Sequence, residues 1–340
     1  MKVIKTKDAV GMVIGHDITE IVPGAFKGAA FKKGHVVREE DIDHLLRIGK
    51  EHLYVMELKK DEIHEDDAAI ALGKMICGQG VTFTQPSEGK INLKAAHSGL
   101  LKINRDLQDD INDLGDICLA TLHGNRTIQQ DGLIGGCRII PLTVHREKLE
   151  QAAAVLKGRE PLLQVKPFRP MKAALIVTGT EVYEGRVEDK FGPVVVKKLQ
   201  AFGMELMAKT ILPDDMDQIC REVKEAKSSG ADLIVVTGGM SVDPDDKTPG
   251  AIKQTGADIV AYGTPVLPGA MLLMAYLEGT PVVGLPGCVM FAHNTAFDLL
   301  LPRVAAGETI TRRDITRLGH GGQCLKCDTC LFPDCHFGKV

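Results

Sequence analysis

Six acidic residues, Glu181, Asp189, Asp214, Asp243, Asp245 and Asp246, fall at or near predicted strand ends in the second half of this 340-residue chain, where three of the strands run into glycine-containing turns. The turns read TGTEVYEGRVED (178–189), TGGMSVDPDDKTPG (237–250) and GLPGC (284–288). Glycine after a strand permits positive φ and lets a ligand approach the backbone closely. The NH groups exposed there suit a phosphate. Carboxylates beside such a cradle repel an anion unless a divalent cation lies between them. Mg²⁺ bridging one or two carboxylates to substrate phosphates is the usual arrangement. Asp246, between the Gly238-Gly239 turn and Thr248-Pro249, is the strongest candidate. Thr248 is placed to cap a helix and Pro249 to begin it. Taken singly, Asp214, Asp243 and Asp245 read equally well as turn and cap residues. G-x-G-x-x-G is absent from the first of these turns and GxxxxGK[ST] does not occur, so neither familiar phosphate loop is present.

A second set of chemically capable residues closes the chain. CLKCDTCLFPDCHFG (324–338) spaces Cys324, Cys327, Cys330 and Cys335 as C-x₂-C-x₂-C-x₄-C, with His336 adjacent. Four thiolates satisfy one tetrahedral Zn²⁺ or one [4Fe–4S] cluster. The run resembles the ferredoxin spacing with one residue added, and it lacks the two separated CxxC pairs usual for zinc. Metal binding is the reading preferred over a mobile reduced-thiol tail, with zinc first and a cluster left open. The polar stretch TRRDITRLGHGGQ (311–323) reads as a tether. Cys77, Cys118, Cys137 and Cys220 are scattered background. The eleven histidines show no HExxH or paired spacing and read as ordinary surface or structural residues. Met204, Met207, Met271 and Met274 lie in apolar segments and read as core.

The elements that must position these residues follow from patterning. From Met171, apolar runs alternate with amphipathic stretches. AALIVTG, ELMAKTIL, ADLIVVTGG and PVVGLPG read as strands. FGPVVVKKLQAFG, MDQICREVKEAKSSG and VMFAHNTAFDLLLPRVAAG read as helices. Continuous apolar strands alternating with helices predict a parallel-rich sheet covered on both faces, an α/β fold. Ligands of such sheets bind beyond the carboxyl ends of the strands. Residues 1–76 read as an α+β segment, with helices in EEDIDHLLRIG (39–49) and DEIHEDDAAIALGKMI and a strand in HLYVMEL (52–58). Residues 77–168 read as β-rich, with short apolar runs broken by Gly, Asn and Asp. KPFRP (166–170) marks the main boundary before the α/β domain of residues 171–307. Residues 308–340 are the tether and Cys-rich tail.

Composition removes other classes. With 41 basic against 45 acidic side chains the formal charge is −4, and no basic stripe marks a nucleic-acid face. No stretch approaches about 18 apolar residues, and the first twenty residues hold no signal-like apolar run, so a cytoplasmic protein without membrane partners is predicted. No Ser-His-Asp or Cys-His arrangement is visible, which favours electrostatic, metal-assisted chemistry over a covalent nucleophile.

Residues 171–307 resemble the molybdopterin-binding domain of molybdenum-cofactor biosynthesis proteins, the molybdopterin adenylyltransferases and molybdotransferases. The resemblance rests on Thr178, Gly179, Glu181, Val182, Gly185 and Asp189 in the first turn, and on Pro213-Asp214-Asp215 after the second strand. It continues through Thr237, Gly238, Gly239, Ser241, Asp246 and Thr248, then Pro265, Pro268 and Gly269, and closes on GLPG at 284–287. It implies a pterin ligand with a dithiolene and a terminal phosphate. Thr178, Gly179, Asp189, Gly238, Gly239, Ser241, Thr248, Pro268, Gly269, Pro286, Gly287 and Cys288 are then cofactor-binding. Asp246, with Asp214 or Glu181, is catalytic, holding Mg²⁺ or positioning molybdate. Upstream, DAVGMVIGHDIT (8–19), FKKGHVVREEDIDHLLRIGKEHLYV and GLIGGCRIIPL are similar to the N-terminal regions of molybdotransferase-type proteins, which implies a homo-oligomer, a dimer by preference. Two departures stand out. That layout's separate C-terminal β domain has no counterpart in residues 308–340, and Cys288 occupies a position where the family usually has Asn. Cys288 is either a small buried hydrophobe or a thiolate facing the dithiolene. The function implied is Mg-assisted molybdate insertion into free or adenylylated molybdopterin. The alternatives are adenylyl transfer, and non-catalytic binding and delivery of the cofactor to a recipient molybdoenzyme.

Overall fold

The computed structural model describes residues 1–339, and the chain divides into two units. Unit one holds residues 1–97, 102–122 and 129–165; unit two holds 98–101, 123–128 and the chain from Lys166 onward. In unit one Lys2–Lys5 pairs antiparallel with His52–Val55, and Ile18–Val22 forms a hairpin with Phe26–Phe31. Ile14, Ile18, Leu45 and Leu53 are buried together there. The strand expected over 52–58 stops at Val55. A four-stranded antiparallel sheet of Val81–Phe83, Lys90–Ala95, Leu133–Ile139 and Ile117–Thr121 fills the stretch read as β-rich. That stretch also carries the helices Arg105–Asp113 and Arg146–Leu156, which the reading of it as turns and short strands passed over. Arg105–Asp113 offers only Leu107 and Ile111 as a buried stripe, one helical turn apart.

Unit two is an α/β domain. Its strands are β1 (Lys172–Thr178), β2 (Glu205–Leu212), β3 (Leu233–Thr237), β4 (Asp258–Tyr262), β5 (Leu273–Leu277) and β6 (Thr280–Leu285). Its helices are α1 (Thr180–Tyr183), α2 (Phe191–Gln200), α3 (Met216–Ser228), α4 (Thr248–Gln254), α5 (Ala296–Ala305) and α6 (Arg312–Arg317). The sheet order is β2-β1-β3-β6-β5-β4. The pairs β1–β2, β1–β3 and β3–β6 are parallel. The pairs β5–β6 and β4–β5 are antiparallel, an edge absent from the sequence reading.

Alternation along the strands explains why both faces are covered. Ala173, Leu175 and Val177 of β1 pack with Val195 and Leu199 of α2. Ala174 and Ile176, the intervening residues, pack with Ile219 and Val223 of α3. Each face therefore has its own core, and the strand ends alone are left to meet a ligand.

Two expectations are corrected here. The helix anticipated from Val289 begins at Ala296. Gly287–Met290 forms a single 3₁₀ turn, and Thr295 with Asp298 makes a capping box at the start of α5. The stretch 311–323 is not a tether. Thr311 and Asp314 cap α6, and Ile315, Leu318 and Phe337 are buried in the same core as β1 and α5. Backbone pairing then fixes the tail. Leu267 N donates to Gly322 O and Cys324 N to Leu267 O, each at 2.8 Å.

Candidate functional site

Three parallel strands of unit two, β1, β3 and β6, end side by side, and their turns surround a cavity of about 460 Å³. Thr178, Gly179 and Glu181 come from the first turn, Asp214 from the turn after β2, and Gly238, Gly239 and Ser241 from the turn after β3. Asp243, Asp245 and Asp246 follow on the same loop, and Pro286 and Gly287 close the ring. The size lies in the range of small-molecule sites.

The turn after β3 can be built only with glycine. Gly238 has φ +89°, and a Cβ there would stand 2.2 Å from the carbonyl oxygen of Thr178. Gly239 follows at φ +54°. Two neighbouring strand ends thus approach too closely for any side chain between them. Beneath them Thr248 is buried. Its hydroxyl donates to Gly238 O at 2.8 Å and its amide to Gly239 O at 3.2 Å. Thr248 is the first residue of α4 with Lys247 at the cap, one position later than the capping role expected for it. No acceptor among the described residues stands against the amides of Gly239, Met240 and Ser241, so these NH groups are free for a ligand. Tyr262 holds the loop from outside, donating its hydroxyl to Met240 O at 2.9 Å and Ser241 O at 3.2 Å. Burial, and then the charge of Asp246, push the Tyr262 phenol above its ordinary pKa, so it remains a donor.

The acids divide by environment. Asp214 is half-buried. Its Oδ2 accepts the amide of Thr180 at 2.8 Å and the Thr180 hydroxyl at 3.1 Å, which ties the turns after β1 and β2 together. Its Oδ1 lies toward Gly239, 3.5 Å from where a Cβ would be. Asp246 accepts only a long bond from the Asp243 amide, 3.3 Å. The lining carries five carboxylates, those of Glu181, Asp214, Asp243, Asp245 and Asp246, and no cationic side chain.

Other anticipated residues lie off the cavity. Asp189 pairs with Lys209 at 2.7 Å and accepts the Gly192 amide at 2.9 Å at the start of α2. Burial alone would raise its carboxyl, but these two contacts hold it below the ordinary range. Pro268 lines a different cavity, beside the cysteine run, and Gly269 packs against Ala296. Cys288 stands in the 3₁₀ turn after Gly287, outside the acid-lined cavity. Burial pushes its thiol up, which opposes a thiolate there. Phe191, Met240 and Met271 line the cavity and were not anticipated. Met271 had been read as core, whereas Met204 and Met274 are buried as expected. Met240 sits inside the TGG-M-S turn, and that position was its only signal. Among the described residues no three His, Cys, Asp or Glu side chains are gathered as a ready-made metal cage.

An α/β domain with a cavity beyond the carboxyl ends of its parallel strands has the general form of a ligand-binding site. Residues 174–306 match the family described as "Probable molybdopterin binding domain". Residues 3–57 match a domain of unknown function (DUF8806). The molybdopterin molybdenumtransferase of Synechococcus elongatus is 27% identical over 177 residues, 49% of this chain and 44% of that protein. The molybdopterin molybdenumtransferase of Staphylococcus aureus (strain COL) is 28% identical over 131 residues, 36% of this chain and 31% of that protein. The chain therefore matches less than half the length of these curated relatives. A tungsten cofactor synthesizing protein MoaB from Pyrococcus furiosus, a solved structure, shares 22% identity with a TM-score of 0.34 over 40% of this chain and 93% of that one. No helix among the described residues is long and apolar enough to cross a membrane.

Proposed function

We propose that the cavity binds molybdopterin, free or as its nucleotide adduct, by its phosphate, and that the chain inserts molybdate into it with the help of Mg²⁺. The observation that carries this reading is the cavity's lining, unpartnered backbone amides beside five carboxylates with no cationic side chain. Amides at a glycine turn receive a phosphate oxygen. The carboxylates would repel the same phosphate, so the donor set fits a hard divalent ion shared with the substrate. Mg²⁺ keeps several waters and is usually held by one or two carboxylates plus substrate phosphates.

Within this reading the chain's own groups divide the work. Gly239, Met240 and Ser241 amides orient the phosphate, and the Ser241 hydroxyl adds a further donor. Asp246, whose carboxylate is almost uncommitted, and the free Oδ1 of Asp214 hold the cation, with Glu181 on the facing turn. When bound, the ion neutralises charge as a phosphoanhydride is broken or molybdate oxygens are displaced. Asp189 holds the end of α2 rather than the ligand.

The experiment is to incubate the purified chain with free and with adenylylated molybdopterin, Mg²⁺ and molybdate, and to measure molybdenum incorporated. Turnover that requires Mg²⁺ and disappears in Asp246→Ala supports insertion. Stoichiometric binding without turnover would replace insertion with cofactor carriage and delivery. Release of AMP from the adduct, or its formation from ATP, separates insertion from adenylyl transfer.

A further inference from the structure

The cysteine run of residues 324–335 is not used by the acid-lined cavity, yet it builds a cavity of its own. Cys324, Cys327, Cys330 and Cys335 all line one space of about 290 Å³ in unit two, opposite the segment Phe291–Asn294. None of the chain's other five cysteines does so. All four thiols are free. We propose that these four cysteines ligate a single [4Fe–4S] cluster in this cavity.

The tail is pinned at both ends of the run and open in its middle. Cys324 is fixed by the backbone pairing with Leu267, and Cys335 lies beside Phe337, which is only 2% exposed. His336 donates its ring Nε2–H to Gln323 O at 2.7 Å, joining the two ends. Arg126 pairs with Asp334 at 2.7 Å. Cys327 and Cys330 stand exposed on the loop between. The walls are largely apolar, with Phe291, Leu325, Leu331 and Phe332, and the polar groups that reach in are His293, Asn294, Lys326 and His336. No carboxylate lines the space. A cluster bearing four thiolates is anionic, so this lining suits it. Asn294 already donates Nδ2–H to the Cys330 sulfur at 2.9 Å, and hydrogen bonds to sulfur are a recognised feature of Fe–S sites.

The size of the space favours a cluster over a single zinc. One tetrahedral Zn²⁺ at about 2.3 Å from each sulfur brings the four sulfurs within roughly 3.8 Å of one another and fills the space between them. The four cysteines instead line a space of about 290 Å³, larger than one zinc ion fills. A cubane distributes its four cysteines over four irons and occupies the space itself. The two x₂ spacings are those of the ferredoxin run, and Cys335 lines the same cavity as the other three cysteines.

The test uses the full chain, incubated without oxygen with equal ferric and ferrous iron and sulfide, so that the iron itself supplies the oxidation level of the cluster, then desalted. Iron, acid-labile sulfide and zinc are counted, and the visible spectrum is followed on adding dithionite. About four irons and four sulfides per chain, with broad visible absorption bleached by dithionite, are expected. Cys327→Ser and Cys330→Ser, both at exposed positions, should each lose most of this iron while keeping the far-ultraviolet CD and melting curve of the apo chain. Cys118→Ser, exposed but remote from the cavity, should keep all of it. Zinc bound at one per chain with no cluster, neither metal bound, or equal iron loss in Cys118→Ser would each overturn the assignment.

Discussion

Asp214 has two jobs in the proposed site, and they can be separated by substitution. Its Oδ2 accepts two bonds from Thr180, at 2.8 and 3.1 Å, while Oδ1 is left for a cation. Asp214→Ala removes both. Hydrogen bonds to a charged acceptor contribute ~1.5–3 kcal/mol each, and a half-buried pair that water can reach belongs at the bottom of that range. A loss of about 2–3 kcal/mol follows, which at ~2–4 °C per kcal/mol lowers the melting temperature by about 4–12 °C. Asp214→Asn keeps an oxygen facing Thr180 and removes the charge from a wall that carries four further carboxylates. Its stability should stay within about 1 kcal/mol of the parent, because the weaker bond is offset by relief of repulsion. Its Mg²⁺-dependent affinity for molybdopterin should nonetheless fall at least tenfold. Thermal melts of the apo proteins, followed by titration calorimetry with and without Mg²⁺, read the two effects apart. If Asp214→Asn loses as much stability as the alanine variant, or keeps its Mg²⁺-dependent binding, Asp214 serves the turn alone and the cation reading of it is wrong.

Further perturbations test other parts of the molecule. Gly238→Ala combines a left-handed backbone, ~1–2 kcal/mol, with a Cβ set 2.2 Å from a backbone oxygen, for which strand displacement adds ~1–3 kcal/mol; urea unfolding should show a total loss of about 2–5 kcal/mol. In unit one, burial and then Asp66 push the Glu65 carboxyl up to about 7, so folding favours its protonated form. Its contribution is complete at acid pH and is lost as pH rises through about 7. The parent should therefore melt progressively lower from about pH 5 to pH 8, Glu65→Gln should flatten that decline, and an unchanged slope would contradict it. For the loaded cluster, Asn294→Ala removes the N–H···S bond that favours the more negative, reduced state. Its midpoint potential should become more negative than the parent's at equal iron content.

Most of the α/β domain could be read from the chain because its local signals agree with its tertiary role. β1, β3 and β6 are largely apolar runs that each lead into a glycine-containing turn, whereas β2 carries Glu205, Lys209 and Thr210 and runs into Pro213-Asp214. The acids at 181, 214 and 243–246 were legible for the same reason, since a residue's distance along the chain from a strand end is also its distance from the site. Asp189 broke that rule. Its position in the motif placed it with the ligand, but a side chain facing Lys209 and the start of α2 is a tertiary fact with no local mark. The antiparallel edge was legible and missed. LLMAYL-EG-TPVVGL contains a two-residue Glu278-Gly279 turn, both at positive φ, a hairpin signal of the ordinary kind.

The tail shows the converse limit. Cys324, Cys327, Cys330 and Cys335 announce a ligand set by spacing alone, because metal chemistry restricts how far apart the donors of one short segment can be. What holds them is invisible at that level. Ile315, Leu318 and Phe337 are sparse apolar residues in a polar, glycine-rich stretch, and beyond the three-residue spacing of Ile315 and Leu318 no periodic pattern marks them for burial. Each enters the core singly, so composition reads the segment as a tether although its anchors lie beside β1 and α5. The distinction bears on chemistry. A free tail could gather four thiols around zinc at almost no cost beyond chain entropy, whereas a tail fixed at Cys324 and Cys335 must close its two exposed cysteines over whatever fills the space between them. An anchored run with an open middle therefore selects for the size of its ligand, which makes the metal count per chain, rather than metal affinity, the decisive measurement.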